Sequence, residues 1–141
     1  MAVFQKFDSF VEAVAEGKHD FSADTLTRAL TAAANPPLVT NGALSDLTEI
    51  AYTFLSSRVL TLSAGGSAQV GGLYTLKLDD LTLTASGGSV APFQYVVVYN
   101  SSAPLGSELV GFYSYGSDLT LAAGESLQVN FDDANGVLTI T

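Results

Sequence analysis

Six short β-prone runs follow Ser57: SRVLTLS, YTLKLDDLTLTA, FQYVVVYN, LVGFYSYG, SLQVNFDD and VLTIT. Each is rich in Val, Leu, Thr, Tyr or Phe, and clusters of Gly, Ser, Asp and Asn separate them at short spacing. This is the pattern of an antiparallel sandwich or barrel. The Gly-rich pieces SAGGSAQVGG and ASGGS read as turns within this region.

The N-terminal part reads differently. In FDSFVEAVAEG, the residues Phe7, Phe10, Val11 and Val14 recur at helical spacing and make one apolar stripe. Asp8 or Ser9 is placed to cap this helix, and Gly17 to stop it. DTLTRALT fits either a strand or one helical turn pair, and its threonines favour the strand. AAANPPLVTNGA is a loop, because Asn35-Pro36-Pro37 continues neither a helix nor a central strand. LSDLTEIAY holds one short helical turn, with Ser45 as its cap. The expectation is a mainly β chain: a single antiparallel β-sandwich or barrel-like domain over 1–141 with a short N-terminal helix. Residues 1–56 supply the helix, a strand and an extended loop, and 57–141 the β domain.

Composition narrows the function classes. The chain has 141 residues, no cysteine and a net charge of −9. Thiolate metal sites and disulfides are therefore excluded. The acidic field opposes binding to nucleic acid phosphates. No run approaches the ~18 apolar residues of a membrane-crossing helix. The acids at Asp8, Glu12 and Glu16 argue against a signal peptide. Neither nucleic acid nor membrane is expected as a partner.

Candidates for chemistry are few. In NFDDANGVLTIT, the oxygens of Asp132, Asp133 and Asn135 precede Gly136 as ligands do in a calcium loop. Neighbouring strand residues point to opposite sides, however, so Asp132 and Asp133 cannot both reach one ion. A two-residue turn at Asn135-Gly136 accounts for the stretch better. It sets Asp133 opposite Leu138 and Phe131 opposite Ile140 in a closing hairpin. His19 is the single histidine and reads as a solvated or turn residue after a helix end. Asp79-Asp80 reads as a bulge or turn rather than an acid/base couple. The aromatic run Phe93, Tyr95, Tyr99, Phe112, Tyr113 and Tyr115 reads as core packing with hydroxyls at the rim, or as a platform for a carbohydrate or partner. No phosphate-binding loop, dinucleotide fingerprint or nucleophile elbow occurs. No catalytic, metal or cofactor residue is expected, and the chain does not read as an enzyme.

The stretch LTLTASGGSVAPFQYVVVYN, with LVGFYSYGSDLTLAAGESLQVNFDDANGVLTIT after it, resembles a family of small proteins encoded in tailed-phage structural gene clusters. VFQKFDSFVEAVAEGKHDF, DTLTRALT and LSDLTEI fit the same pattern, so the resemblance spans nearly the whole chain. Its motifs are turns and strand starts. Arg28 stands where the strand pattern has an apolar residue, which leaves that strand's orientation open.

The resemblance implies a head decoration, or cement, protein; some members are labelled tail-associated. Such a protein is a homotrimer on the outer surface of the virion head, clamping neighbouring copies of the major capsid protein. The stripe of Phe7, Phe10, Val11 and Val14 is then the candidate partner contact, with core packing as its other reading. Two further classes stay open: a tail-associated or tail-fibre receptor- or carbohydrate-binding module using the aromatic run, and a small glycan-cleaving enzyme using the scattered acids.

Overall fold

Strand β2 (Leu26–Thr31), from the N-terminal third, lies inside the main sheet rather than beside it. All six of its residues are buried. It pairs antiparallel with β7 (Phe93–Asn100) on one side, Leu30 opposite Val96 and Arg28 opposite Val98. On the other side it pairs with the two-residue β3 (Val59–Leu60). β7 pairs in turn with β8 (Glu108–Leu119), and β8 with β1 (Gln5–Lys6). The five-stranded order is β1-β8-β7-β2-β3. The β fold therefore begins upstream of Ser57, because β7 is a central strand that needs a ladder on both edges. This is a computed structural model, and it describes residues 3–102, 107–131 and 135–141.

The sheet is covered on both faces, which explains why VVV in β7 is a continuous apolar run rather than an alternating one. One face carries Leu26, Leu30, Val96, Val98 and Val110 towards a second layer. That layer contains the sheet β10-β5-β4, formed by β4 (Leu62–Val70), β5 (Leu73–Leu78) and β10 (Leu138–Ile140). It also contains the pair β6 (Leu81–Thr84) and β9 (Ser126–Val129). The opposite face carries Ala29, Val97, Leu109 and Phe112 against Phe7 and the loop residues Leu44 and Leu47. The architecture is the expected antiparallel, sandwich-like one, and not a closed barrel. Among the described residues, no helix is long and apolar enough to cross a membrane.

Helix α1 (Asp8–Ala15) forms where the stripe predicts it. Neither Asp8 nor Ser9 caps it. Phe7 takes the cap position in extended backbone, and the Asp8 N–H donates to the Val39 carbonyl at 2.9 Å instead. The exit follows the sequence: Gly17 adopts φ +71°, while the N–H groups of Gly17 and Lys18 bond the carbonyls of Val14 and Ala13. These two bonds satisfy carbonyls the helix leaves open. The short turn at Leu44–Asp46 is a 3-10 helix, and Ala43, not Ser45, precedes it. Its Asp46 carboxylate accepts the N–H groups of Gly42 and Ala43.

Two expectations are corrected. SAGGSAQV is a strand, not a turn; only Gly71-Gly72 reverses the chain, with positive φ at both. Most of β4 faces solvent, so its composition carries little apolar alternation. Its glycines build a bulge: Leu62 pairs with Leu78, yet Ser67 pairs with Leu76. The last hairpin is also replaced. β9 pairs with β6, and β10 pairs with β5, Leu138 opposite Leu76. Gly136 has the positive φ expected (+84°), but the chain there runs onto β5, where the Val137 N–H donates to the Leu76 carbonyl at 2.8 Å. The apolar alternation of VLTIT is satisfied by β5 as well as it would be by β9.

Candidate functional site

The helix stripe divides on folding. Phe7 and Phe10 are core residues, Phe7 tilted against Phe112 and Phe10 stacked near Phe21. Val14 is half-buried, and Val11 stands 57% exposed. Of the four, only Val11 is presented to solvent. It does not stand alone: Leu38 and Val39 of the proline loop are also exposed. The loop is tied to the helix start by the Asp8–Val39 bond and by the Ser9 hydroxyl donating to the Asn41 carbonyl at 3.3 Å.

His19 is not a solvated residue. Its ring packs against both Phe10 and Phe21, with centroids 5.4 and 5.0 Å away. Nδ1 faces the Asn100 amide nitrogen, and Nε2 is buried without a partner among the described residues. Burial holds its pKa below the ordinary imidazole value; Asp24 pulls the other way and Lys18 adds to the depression. Beside it lies a hollow of about 290 Å³ that also touches Asp20, Ser67 and Tyr74. The Asp20 carboxylate already accepts from the Ser22 hydroxyl and N–H, and the Ser67 and Tyr74 hydroxyls bond each other at 2.9 Å. The Asp20, Ser67 and Tyr74 groups are thus engaged in holding the fold.

The carboxylate candidates are likewise structural. Asp79 and Asp80 link β5 to β6, strands of two different sheets. Asp80 accepts the Phe131 N–H at 2.7 Å and so anchors the chain just after β9. Asp132 and Asp133 lie outside the described residues. Among the described residues, no group of three or more metal-ligating side chains is assembled.

Sequence reasoning missed the buried guanidinium. Arg28 is fully buried on the core-facing side of β2, with Nη2 donating to the Leu81 carbonyl at 3.2 Å. Its Cζ lies 5.9 Å from the Phe131 ring centroid, and Nε and Nη1 have no partner among the described residues. Burial lowers its pKa to about 10, so it remains charged at neutral pH. The only signal in the sequence was a cation inside a Thr/Leu strand.

The aromatic run is split by the sheet. Phe93 is wholly buried, and Tyr99 and Phe112 nearly so, in the core. Tyr113 and Tyr115 come together with Phe93 at a cleft of about 230 Å³ between β8 and β9. The cleft exists because β9 pairs only with β6, while β8 pairs with β7 and, at Gly111 and Phe112, with β1. The edges of β8 and β9 face each other without a ladder.

No family model matches the sequence, and no curated protein and no solved structure matches it either.

Proposed function

We propose that the protein is a non-catalytic virion structural protein, a homotrimeric decoration protein that binds the major capsid protein on the outer surface of a phage head. The resemblance described above leads to this reading. The observation that carries it is the exposure of Val11 on helix α1 and of Leu38 and Val39 on the proline loop, two elements tied by the Asp8–Val39 backbone bond and the Ser9–Asn41 bond. Exposed apolar side chains on adjoining elements suit a protein contact surface. Specific interfaces bury roughly 1,200–2,000 Å² in total, and many copies on a shell multiply a modest contact. The excess of acids keeps decorated particles apart.

The test is localisation in purified virions by cryo-electron microscopy, together with attachment of a Val11→Asp, Leu38→Asp variant. Hundreds of copies on the head, lost in the variant while its circular dichroism is unchanged, are expected. Density restricted to the tail tip, or a few copies per particle, overturns the assignment.

A further inference from the structure

We propose that the cleft between β8 and β9 binds a single uncharged pyranose ring of a glycan. This inference does not rest on the decoration reading. Its first support is a deformation of β8. The two steps from Phe93 to Tyr95 on β7 are matched by the five steps from Leu119 to Ser114 on β8. The surplus residues form a bulge, with Gly116 at φ +97°. A bulge re-aims side chains at the edge of a sheet. Here it leaves Tyr115 57% exposed at the cleft, although an aromatic ring of that size gains most from burial.

The second support is the chemistry of the lining. The half-buried Leu127 and Val129, with the buried Phe93 and Val96, make the apolar part of the lining, and Tyr113 and Tyr115 the aromatic part. On the facing strand, Gln128 and Asn130 are exposed carboxamides at alternate positions, so they share one side of the chain. Asn130 makes no hydrogen bond to the described residues, and Gln128 only a long one of 3.5 Å to Asp80. The Ser114 hydroxyl accepts from Gln94 Nε2 and the Gly116 N–H, both at 3.2 Å, which leaves its own hydrogen to give.

Among the described residues, no Asp, Glu, Lys, Arg or His lines the cleft. A charged ligand would lose its hydration there and gain no counter-charge. An anion would also meet the field of a chain carrying −9. A purely apolar ligand would leave the carboxamides unanswered. A pyranose meets both demands: its C–H face stacks on tyrosine, and its hydroxyls both give and accept hydrogen bonds at amide groups. The volume also fits, since clefts of ~300–1,000 Å³ hold drug-sized ligands and this one has room for about one ring.

The experiment titrates the ¹⁵N-labelled protein with methyl glucoside, galactoside, mannoside and N-acetylglucosaminide, and with glucuronate as the charged control. Shifts confined to amides of 113–116 and 127–130, given by at least one neutral sugar and not by glucuronate, are expected. Tyr115→Ala and Asn130→Ala, both at exposed positions, should weaken that binding by about tenfold or more with unchanged spectra elsewhere. No shift with any neutral sugar at millimolar concentration overturns the proposal. So does equal binding of glucuronate, or binding that survives loss of Tyr115.

Discussion

The side-chain nitrogen of Asn100 stands 3.0 Å from Nδ1 of His19 and also 2.5 Å from a carboxylate oxygen of Asp24. Its oxygen accepts the Ser102 N–H at 2.9 Å, which fixes the orientation of the amide. One amide hydrogen goes to Asp24 and the other to His19. His19 must then accept at Nδ1 and carry its proton on Nε2. Protonation would place two donors face to face. The folded-state pKa lies below the ordinary value of ~6.5, chiefly through burial, so the unfolded chain takes the proton first as pH falls. The stability from this group is fully present above about pH 6.5 and is lost as pH falls through the folded-state value. Urea midpoints should decline across that window, before most carboxylates titrate. His19→Asn, which keeps an acceptor towards Asn100, should flatten the decline. An unchanged slope in that variant would show that His19 is not the titrating group.

Arg28 carries a charge into the core with one hydrogen bond among the described residues. Such a charge costs several kcal/mol in lost hydration, and apolar replacements of similar length often gain about 1–4 kcal/mol. Arg28→Met should raise stability in urea denaturation. Arg28→Ala should lower it by about 2–4 kcal/mol through the cavity it leaves. Equal losses in both variants would mean that the guanidinium itself stabilises the sandwich.

Gly136 is held by its surroundings as well as by its backbone angle. A Cβ there would press on the Thr75 methyl and lie 2.8 Å from the Leu76 oxygen, the acceptor of the Val137 N–H. Positive φ alone costs a non-glycine residue about 1–2 kcal/mol. Gly136→Ala should therefore destabilise by more than that, and hydrogen exchange should show β10 opening from β5. Protection lost on β9 but kept on β5 would support the hairpin that the sequence pattern first implied.

Asp80 tests the anchoring of the segment after β9. Asp80→Ala leaves the Phe131 N–H without its acceptor at a part-buried position, for about 1–3 kcal/mol. Asp80→Asn keeps an oxygen and should recover most of the loss. Thermal melts of the two variants decide the point.

Strand existence was legible from residue type, because β-branched and aromatic runs between turn residues are visible without knowing their neighbours. Helix α1 was legible from its 3.6-residue stripe. Strand partners were not. Phe131 and Leu138 reach the same core cluster whether β10 lies on β9 or on β5, so hydrophobic pattern cannot choose between them. β1 is too short to show a period, and β4 hides behind Gly and Ser because most of its side chains face water. Asn100 and His19 are 81 positions apart, and only the fold brings them together. The cleft was half legible: its tyrosines were singled out, while Gln128 and Asn130 look like ordinary strand-surface residues.

The placement of β2 between β7 and β3 has a consequence for how the chain reaches its fold. The nearest partner residues of Leu26 are Leu60 and Asn100. A wholly buried strand made early must therefore wait through synthesis for neighbours far downstream. Loop closure has to precede any reward from its ladder, so folding is expected to be slow for a chain of this length. Until β7 emerges, LTRALT is an exposed strand with both edges open, the segment most prone to pair wrongly. The charge of Arg28, a burden in the finished core, falls in the middle of that waiting strand, where a like-charged copy is repelled.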